Sequence, residues 1–336
     1  MSQFTQPRVS IAIPTYQQER WLGEAIASAL DQDYPHLEVL VCDDASPDAT
    51  PEVVQAFMHD HRLRYVRHAH NLGRVANYRY ALHHASGDWL LMLDGDDYLI
   101  DPHYIRDAVA QLQSHSDVVL VFGGCRITSS AQRVRDCCET RQAWECTDGF
   151  SYFRRWHAWL GIPHQAALYN RELARRLDFY RFDIISSDWE SLRRLILHGK
   201  ILIHGAPVVV WRKHDHNASL SPGVAQRIAD LQSIEGPYRY ALDRGFDRKL
   251  LQQWRRRTIA DYAINHMRIS LRANRLDDFW KMLSYLSVND EEAYHAALRR
   301  LVYHPHLVLI YVISFVNGGR LPSLLLRAWH HIAPFD

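Results

Sequence analysis

From residue 8 to about residue 124, short apolar runs alternate with longer segments whose apolar residues have helical spacing. The apolar runs cover residues 9–13, 37–42, 63–66, 89–93 and 118–122, and the helical segments cover residues 19–31, 49–60, 75–85 and 102–114. A continuous apolar run of this length is typical of a strand buried on both faces. The alternation therefore predicts an α/β fold with a mostly parallel sheet and right-handed crossovers.

Polar residues follow three of these strands, at the point where each strand ends. They are PTY at residues 14–16, two acids at residues 43–44, and DGDD at residues 94–97. Because ligands of parallel sheets bind outside the carboxyl ends of the strands, we expect the three segments to line one crevice. Crowded carboxylates repel one another unless a cation offsets them. DGDD alone fits a solvated acidic turn better, and its convergence with the other segments favours a binding site.

The pattern changes in the rest of the chain. Residues 125–165 are less regular, residues 188–198 have helical spacing, and residues 201–204 and 208–211 predict two short strands. From about residue 222 one amphipathic helix follows another. We therefore expect two parts, an α/β domain over residues 1–221 and a helical region over residues 222–336.

Composition excludes several classes of protein. The 336 residues are 47% hydrophobic and 23% charged, which suits a globular core, and the formal net charge of +1 gives no argument for nucleic acid. The five cysteines include no Cys-x-x-Cys pair, and residues 1–8 contain no apolar signal stretch. The apolar run at 307–316 is shorter than the roughly 20 residues that a membrane span needs. We expect a cytoplasmic protein.

The acidic segment suggests a particular kind of ligand. A cluster of aspartates without a glycine-rich loop or a lysine is a poor direct site for phosphate. It becomes a good one when a divalent cation lies between the carboxylates and the phosphate oxygens. Such a cation also offsets the charge that develops on a leaving diphosphate. A nucleotide-diphosphate donor is therefore a natural ligand for the predicted crevice.

Three segments carry a family resemblance. VSIAIPTYQQERWLGEAIASALDQDYPHLEVLVCDDASPDAT at 9–50, NLGRVANYRYAL at 71–82 and GDWLLMLDGDD at 87–97 resemble the N-terminal domain of a family-2 glycosyltransferase. The resemblance is dense from residue 8 to about residue 125 and thinner to about residue 220. It implies the GT-A fold, which has a Rossmann-like, mostly parallel central sheet with flanking helices. It also implies a nucleotide-diphospho-sugar donor and inversion at the anomeric carbon.

The resemblance assigns donor contacts to residues of these segments. They are Pro14, Thr15, Tyr16, Glu19, Asp44, Arg74, Asn77 and Asp94. Asp44 matches the residue that hydrogen-bonds the pyrimidine, and a carboxylate accepting an imide N–H favours uracil over cytosine. Arg74 and Asn77 fall beside the sugar and diphosphate. Asp94 and Asp96 form the Asp-x-Asp signature, which implies a bound Mn²⁺ or Mg²⁺ with Asp96 as its direct ligand.

Two later segments match the catalytic base and a further metal ligand. Inversion by a single displacement needs one general base. In ISSDWESLRRLILHGK at 185–200 the resemblance points to Asp188, with Ser187 in place of the usual neighbouring acid and Glu190 as the second candidate. In WRKHDHNASLS, His214 matches a histidine that adds a nitrogen ligand to the metal, and His216 is an alternative.

These features together predict an enzyme. We expect it to transfer a sugar, from a donor that the resemblance indicates is a UDP-sugar, to a hydroxyl of a saccharide or lipid-linked saccharide in bacterial surface glycan synthesis. A sugar nucleotidyltransferase would need a glycine-rich loop after the first strand, and a processive synthase would need membrane spans. A non-catalytic nucleotide-sugar-binding or scaffolding protein is the alternative.

The role of residues 222–336 stays open. They are compatible with closing the acceptor site, with homo-oligomerisation, or with docking on a membrane. The apolar run at 307–316, followed by Arg320, Arg327 and Trp329, fits an interfacial segment at the inner face of a membrane and a buried helix equally well.

Overall fold

The computed structural model describes residues 6–129, 134–156, 161–214, 217, 222–272 and 275–302. The chain divides into two compact units. The first comprises Met1–Phe153 with Leu160–Leu220, and the second comprises Arg154–Trp159 with Ser221–Asp336.

In the described part of the first unit, ten strands form one sheet. The strands are β1 (Val9–Thr15), β2 (Leu37–Asp43), β3 (Leu63–Arg67), β4 (Trp89–Met92), β5 (Tyr98–Leu99), β6 (Val118–Ser129), β7 (Arg135–Cys137), β8 (Trp144–Asp148), β9 (Ala167–Asn170) and β10 (Lys200–Lys213). Their order across the sheet is β3-β2-β1-β4-β9-β6-β10-β5, with β7 paired to β6 and β8 paired to β10.

The sheet is mixed. Strands β3, β2, β1 and β4 are parallel neighbours, as the alternating pattern predicts, and β6 and β10 are parallel to each other. Strand β9 lies between these two groups and is antiparallel to both β4 and β6. Strand β9 was not predicted from the sequence, because its few apolar residues follow an irregular stretch with no helical pattern before them.

Helices cover the sheet of the first unit. They are α1 (Leu22–Leu30), α2 (Thr50–Gln55), α3 (Arg74–His84), α4 (Tyr104–Gln113), α5 (Gly149–Arg155), α6 (Arg171–Arg176) and α7 (Ser187–Ile196), and a 3₁₀ turn spans His164–Ala166. The apolar faces of α1 and α4 complete a core with the strands, in which Ile11, Ile26, Leu91 and Ile105 have no solvent exposure. β1, β2 and β4 are buried at every position, so both faces of these parallel strands are covered.

Two strands are longer than their sequence pattern suggests. Strand β6 extends to Ser129, and β10 runs without interruption through the two short strands predicted at 201–204 and 208–211. These two strands pair along their whole length, with register shifts on both sides of Pro207. Proline has no N–H to donate to a ladder, so a bulge is where a strand accommodates it.

The second unit is helical in its described part. Its helices are α8 (Val224–Ala229), α9 (Gln232–Asp243), α10 (Arg248–Arg272), α11 (Leu276–Asn289) and α12 (Glu291–Val302). Buried side chains on these helices include Ile259, Phe279 and Met282. Among the described helices, none combines the length and the apolar composition that crossing a bilayer requires. The run at 307–316 lies outside the described residues.

Candidate active site

The polar ends of the parallel strands meet at one edge of the sheet. Thr15 and Asp43 are register partners at the ends of β1 and β2, and the N–H of Asp44 donates to the carbonyl of Thr15 at 2.9 Å. The turn after β4 lies against the same segment, because a Cβ on Gly95 would lie 2.9 Å from Oγ1 of Thr15 and 2.3 Å from Oε1 of Gln18. A side chain at residue 95 would therefore displace Gln18 and Thr15, and the three segments form one crevice, as the strand order predicts.

Three carboxylates crowd the acidic turn after β4. One oxygen each of Asp94, Asp96 and Asp97 lies within 4.8 Å of the others. Asp97 is 1% exposed and accepts hydrogen bonds from Nε2 of Gln165 and the backbone N–H of Arg212, both at 2.8 Å. Burial and the neighbouring carboxylates raise the pKa of Asp97 well above its usual value. Asp97 therefore anchors the turn to β10, and its oxygens point to protein partners.

Asp94 is held by two side chains. Tyr78 on α3 donates to Oδ1 at 2.5 Å, and Nε2 of His164 donates to Oδ2 at 2.8 Å. Burial acts to raise the pKa of Asp94, but the charge of His164 outweighs it and lowers the pKa below its usual value. Burial likewise acts against the imidazolium, yet the Asp94 carboxylate raises the pKa of His164 to about 9. The two groups therefore form an ion pair inside the crevice.

Neither His164 nor Tyr78 was singled out from the sequence. His164 stands in IPHQAALYN, a stretch with no helical or strand periodicity before it. A lone histidine carries no signal there, and only the 3₁₀ turn that precedes β9 brings it to the acidic turn.

Asp96 meets a residue from the end of β10. Oδ2 of Asp96 lies 2.9 Å from Nε2 of His214, and Nδ2 of Asn217 donates to the same oxygen at 3.4 Å. The ring of His214 stacks on Trp21, with 4.3 Å between ring centroids and 14° between planes. Burial and the charge of Asp94 raise the pKa of Asp96. Trp21 and Asn217 were not predicted from sequence, and the alternative ligand His216 lies outside the described residues.

The side chains at this point fit a divalent cation. Asp96 and His214 bring an oxygen and a nitrogen within 2.9 Å of each other, and burial together with the charge of Asp94 disfavours the ionised form of Asp96 until a positive charge compensates it. A carboxylate oxygen and an imidazole nitrogen are both ligands that divalent cations accept in proteins. Asp94 lies nearby, but its two oxygens already accept from Tyr78 and His164.

Four residues at the end of β1 and just after it are predicted to contact the nucleotide, and they differ in exposure and in their partners. Thr15 is buried and its hydroxyl donates to Gln18 at 2.8 Å, whereas Tyr16 is 43% exposed at the mouth of the crevice. Pro14 is buried within β1. Glu19 accepts the backbone N–H of Ala49 at 2.7 Å, so in this structure its carboxylate stabilises the start of α2.

Asp44 holds the turn before α3. Its two carboxylate oxygens accept the backbone N–H groups of Leu72 at 2.6 Å and Gly73 at 3.0 Å. The side chain is 2% exposed. These contacts give Asp44 a structural role beside the pyrimidine contact predicted for it, which stays a prediction.

Asn77 lies behind the end of β2. It is 2% exposed, Nδ2 donates to the carbonyl of Cys42 at 2.9 Å, and Oδ1 lies 3.0 Å from Nε2 of His68. The amide therefore ties α3 to the sheet. The predicted contact of Asn77 with the donor stays untested, and in this structure its polar atoms have partners within the protein.

Asp188 lies in the first turn of α7 and is partly exposed. Its charge is one of those that raise the pKa values of Arg74, Tyr78 and His164. The candidate base therefore lies close enough to the side chains that hold Asp94 for its charge to act on them. Arg74 directs its guanidinium to the segment just before α7.

The second candidate for the base has a different environment. Glu190 is 1% exposed, and its carboxylate accepts hydrogen bonds from Arg181 and Arg194 at 2.7 to 3.0 Å. Ser187, which replaces the family's usual acid, is also 1% exposed, and its hydroxyl has no hydrogen-bond partner in the described part of the chain. Of the two candidate carboxylates, Asp188 is partly exposed, whereas Glu190 is buried and paired with two arginines.

Comparison with known proteins identifies the class. A family model described as glycosyl transferase family 2 matches residues 10–178, half of the chain. The chain therefore belongs to the family-2 glycosyltransferases and is an enzyme, which favours that interpretation over a non-catalytic binding protein.

Several relatives each match about a third of the chain. The putative glycosyltransferase EpsE of Bacillus subtilis is 34% identical over 120 residues, which cover 35% of this chain and 43% of EpsE. The poly(ribitol-phosphate) beta-N-acetylglucosaminyltransferase TarS of Staphylococcus aureus is 35% identical over 118 residues, 34% of this chain and 20% of TarS. A GalNAc(5)-diNAcBac-PP-undecaprenol beta-1,3-glucosyltransferase of Campylobacter jejuni is 34% identical over 125 residues, 36% of this chain and 39% of that protein. The matches thus span less than half of each relative.

Solved structures share the fold. The crystal structure of S. aureus TarS 1–349 in complex with UDP-GlcNAc aligns with a TM-score of 0.57 and 16% identity, covering 94% of this chain and 93% of that one. The mannosyltransferase PcManGT from Pyrobaculum calidifontis, in complex with GDP-Man and Mn²⁺, aligns with a TM-score of 0.51 and 20% identity, covering 89% and 81%. The predicted GT-A fold, followed by a helical region, is confirmed.

Proposed function

We propose that this glycosyltransferase moves a sugar, with inversion at the anomeric carbon, from a UDP-sugar to a hydroxyl of a saccharide or lipid-linked saccharide acceptor. The observation that carries the proposal is that Asp188 lies close enough to Tyr78 and His164, the two side chains that hold Asp94, for its charge to act on them, while Asp96 of the same acidic turn meets His214. A single displacement requires a base for the acceptor hydroxyl and a cation-binding site for the leaving diphosphate, and we place both at one crevice.

For the donor, we propose a UDP-sugar. TarS structures contain UDP-GlcNAc and UDP, and PcManGT contains GDP-Man, so nucleotide-diphospho-sugars occupy this fold. The exposed ring of Tyr16 offers a surface for the nucleobase, and the carboxylate of Asp44 can accept a uracil imide N–H with its remaining lone pairs.

Asp96 and His214 are the residues we propose to hold Mn²⁺ or Mg²⁺. Such a cation offsets the negative charge on the departing diphosphate and so stabilises the transition state. Asp94, which His164 keeps ionised beside Asp96, is the residue we propose to accept hydrogen bonds from the sugar or ribose hydroxyls.

The acceptor is activated by Asp188. As the acceptor oxygen forms its bond to the anomeric carbon, the bond from that carbon to the diphosphate oxygen breaks, and the hydroxyl proton passes to the carboxylate. A helix N-terminus favours negative charge, so the first turn of α7 helps to keep Asp188 ionised before it accepts the proton.

We propose that residues 1–221 perform the reaction in the cytoplasm. The undecaprenol-linked acceptor named for the C. jejuni relative supports a lipid-linked saccharide in bacterial surface glycan synthesis. For residues 222–336 we propose one of three roles, which are closing the acceptor site, homo-oligomerisation, or peripheral docking at the inner face of the membrane. Flotation with anionic liposomes separates docking from the other two roles.

Thermal unfolding with a panel of nucleotide sugars tests the donor and the metal together, because a ligand that binds only the native state raises its apparent stability. We expect UDP-sugars to raise Tm in the presence of Mn²⁺ and to have little effect with EDTA. Asp96→Ala should abolish the Mn²⁺-dependent part of the shift. Equal stabilisation by UDP-sugars with Mn²⁺ and with EDTA would contradict the metal-dependent donor site.

A further inference from the structure

Arg74 connects two segments that are far apart in sequence. Its Nη2 donates to the backbone carbonyl of Ile184 at 2.7 Å and to that of Ile185 at 3.0 Å. These two carbonyls come immediately before Ser186, the N-cap of α7, and Asp188 follows in the first turn. The guanidinium therefore restrains the backbone from which the proposed base projects.

Arg74 lies at a point of its own helix that disfavours a cation. The contacts with Ile184 and Ile185 therefore account for the location of its guanidinium. Arg74 is the first residue of α3, where a cation is unfavourable because the helix dipole is positive at that end. The carbonyls of Ile184 and Ile185 compensate this, because both accept hydrogen bonds from the guanidinium. The guanidinium also lies 5.4 Å from the ring centroid of Tyr78.

The turn before Arg74 fixes its direction. Gly73 has φ +92° and ψ 152°, a conformation that is essentially confined to glycine. The backbone N–H groups of Leu72 and Gly73 donate to Asp44, which follows β2. A rigid connection thus runs from the end of β2, where the nucleotide is proposed to bind, through Arg74 to the start of α7.

We propose that Arg74 is a positioning residue, which holds the start of α7 so that Asp188 faces the anomeric carbon. This inference rests on the proposed function, and it replaces the donor contact that the family resemblance implies for Arg74. A displacement of a catalytic group by about 1 Å can cost about 100-fold in rate. Loss of the Arg74 contacts therefore lowers the rate of the displacement without lowering affinity for the donor.

Arg79 supplies a matched control on the same helix. It also links α3 to another segment, through an ion pair with Asp178 at 2.9 Å, and its side chain is 39% exposed. Arg74→Met and Arg79→Met therefore remove the same chemical group from the same helix. Only Arg74→Met should disturb the backbone before Asp188.

Three measurements compare the two variants: calorimetric binding of UDP with Mn²⁺, single-turnover hydrolysis of UDP-GlcNAc, and amide hydrogen exchange of a peptide covering residues 184–191. Water replaces the acceptor hydroxyl in the hydrolysis and also needs a base. We expect Arg74→Met to slow hydrolysis at least tenfold, to keep UDP affinity within twofold of wild type, and to speed exchange in the peptide. Arg79→Met should match wild type in all three.

The Asp188→Asn background separates positioning from direct contact. Substituting a residue that acts only through Asp188 has little further effect once the carboxylate is gone. In the Asp188→Asn background, Arg74→Met should therefore slow hydrolysis by less than an additional twofold. A tenfold loss of UDP affinity, or an equal loss of rate in both backgrounds, would overturn the inference. So would unchanged exchange at residues 184–191. If the wild-type protein hydrolyses no nucleotide sugar, the proposed function fails, while hydrogen exchange, which needs no turnover, still decides the role of Arg74.

Discussion

Nε2 of His164 donates to Oδ2 of Asp94 at 2.8 Å, while Tyr78 donates to the other oxygen of the same carboxylate at 2.5 Å. Asp94 is thereby fixed in one orientation. Both partners come from elements other than the acidic turn, namely α3 and the 3₁₀ turn before β9. The first acid of the Asp-x-Asp segment is thus an oriented, ionised group rather than a mobile side chain on a surface turn.

The ion pair between His164 and Asp94 should make stability depend on pH. The pKa of His164 rises from 6.5 to about 9, so its contribution is complete below pH 6.5 and is lost as pH rises through 9. The pKa of Asp94 is lowered from 3.8, so its contribution is present above pH 3.8 and is lost as pH falls below that value. The pair therefore stabilises the fold most between about pH 4 and pH 6.5.

His164→Gln tests this window, because glutamine keeps a donor for Asp94 but carries no charge. We expect a loss of about 1–3 kcal/mol in the free energy of unfolding near pH 6, shrinking toward zero above pH 9. Urea denaturation in EDTA across pH 5 to about 9.5 measures it without interference from metal. A difference that stays constant over that range would contradict the ion pair.

Glu190 should contribute to stability rather than to catalysis. Glu190→Gln leaves Arg194, which is 1% exposed, without its buried counter-charge, so we expect a loss of about 3 kcal/mol in the free energy of unfolding. Asp188→Asn, at a partly exposed position, should change stability by less than about 1 kcal/mol. Chemical denaturation of both variants provides the measurement. A fully stable Glu190→Gln protein that binds UDP but transfers no sugar would instead make Glu190 the base.

Trp21 should influence metal affinity through His214. The two rings stack at 4.3 Å, which fixes the imidazole toward Asp96. His214→Ala should weaken Mn²⁺-dependent binding of UDP directly, and Trp21→Leu should weaken it by about tenfold because residues that orient a ligand typically contribute 10- to 100-fold. Titration of Mn²⁺ at fixed UDP, followed by calorimetry, gives both values. If Trp21→Leu binds Mn²⁺ like wild type, the stacking does not orient His214.

Gly73 should be required for its backbone conformation alone. A Cβ there would meet nothing within 4 Å, so the cost of Gly73→Ala comes from φ +92°, about 1–3 kcal/mol in the free energy of unfolding. Gly245→Ala is the control, since Gly245 also has positive φ, +80°, with open space around a Cβ, but lies in the second unit. Both variants should lower Tm, and only Gly73→Ala should also weaken binding of UDP. Equal UDP affinity in the two variants would mean that the turn held by Asp44 does not shape the donor site.

The sequence predicts those parts of the site that depend on strand order. An apolar run that ends in acids, repeated in parallel strands, places Asp44 and the DGDD turn at one edge whatever the details of packing. The sequence could not predict the role of His164. This residue reaches Asp94 through the 3₁₀ turn before the antiparallel β9, and neither element has a periodic signal of its own. Contacts that join distant segments, such as Arg74 with Ile184, likewise depend on tertiary packing alone.

The sequence also could not predict which groups individual side chains contact. Glu19 and Asn77 have residue types suited to binding a nucleotide, yet here one accepts the N–H of Ala49 and the other joins His68 to the end of β2. The helical spacing places Asn77 on α3 but does not say which neighbouring group its amide meets. The packing of α3 on the sheet decides which group lies within hydrogen-bonding distance of the amide, and no local sequence pattern encodes that packing.

The anomeric configuration of the first product tests the mechanism most directly. UDP-GlcNAc carries its sugar in the α configuration, so a single displacement with Asp188 as base must release or transfer the sugar in the β configuration. Proton NMR during hydrolysis by the wild-type enzyme with Mn²⁺ should therefore show β-N-acetylglucosamine before mutarotation, with release by Asp188→Asn slowed about 100-fold or more although it still binds UDP. Initial release of the α anomer, or turnover by Asp188→Asn within a few-fold of wild type, would contradict it.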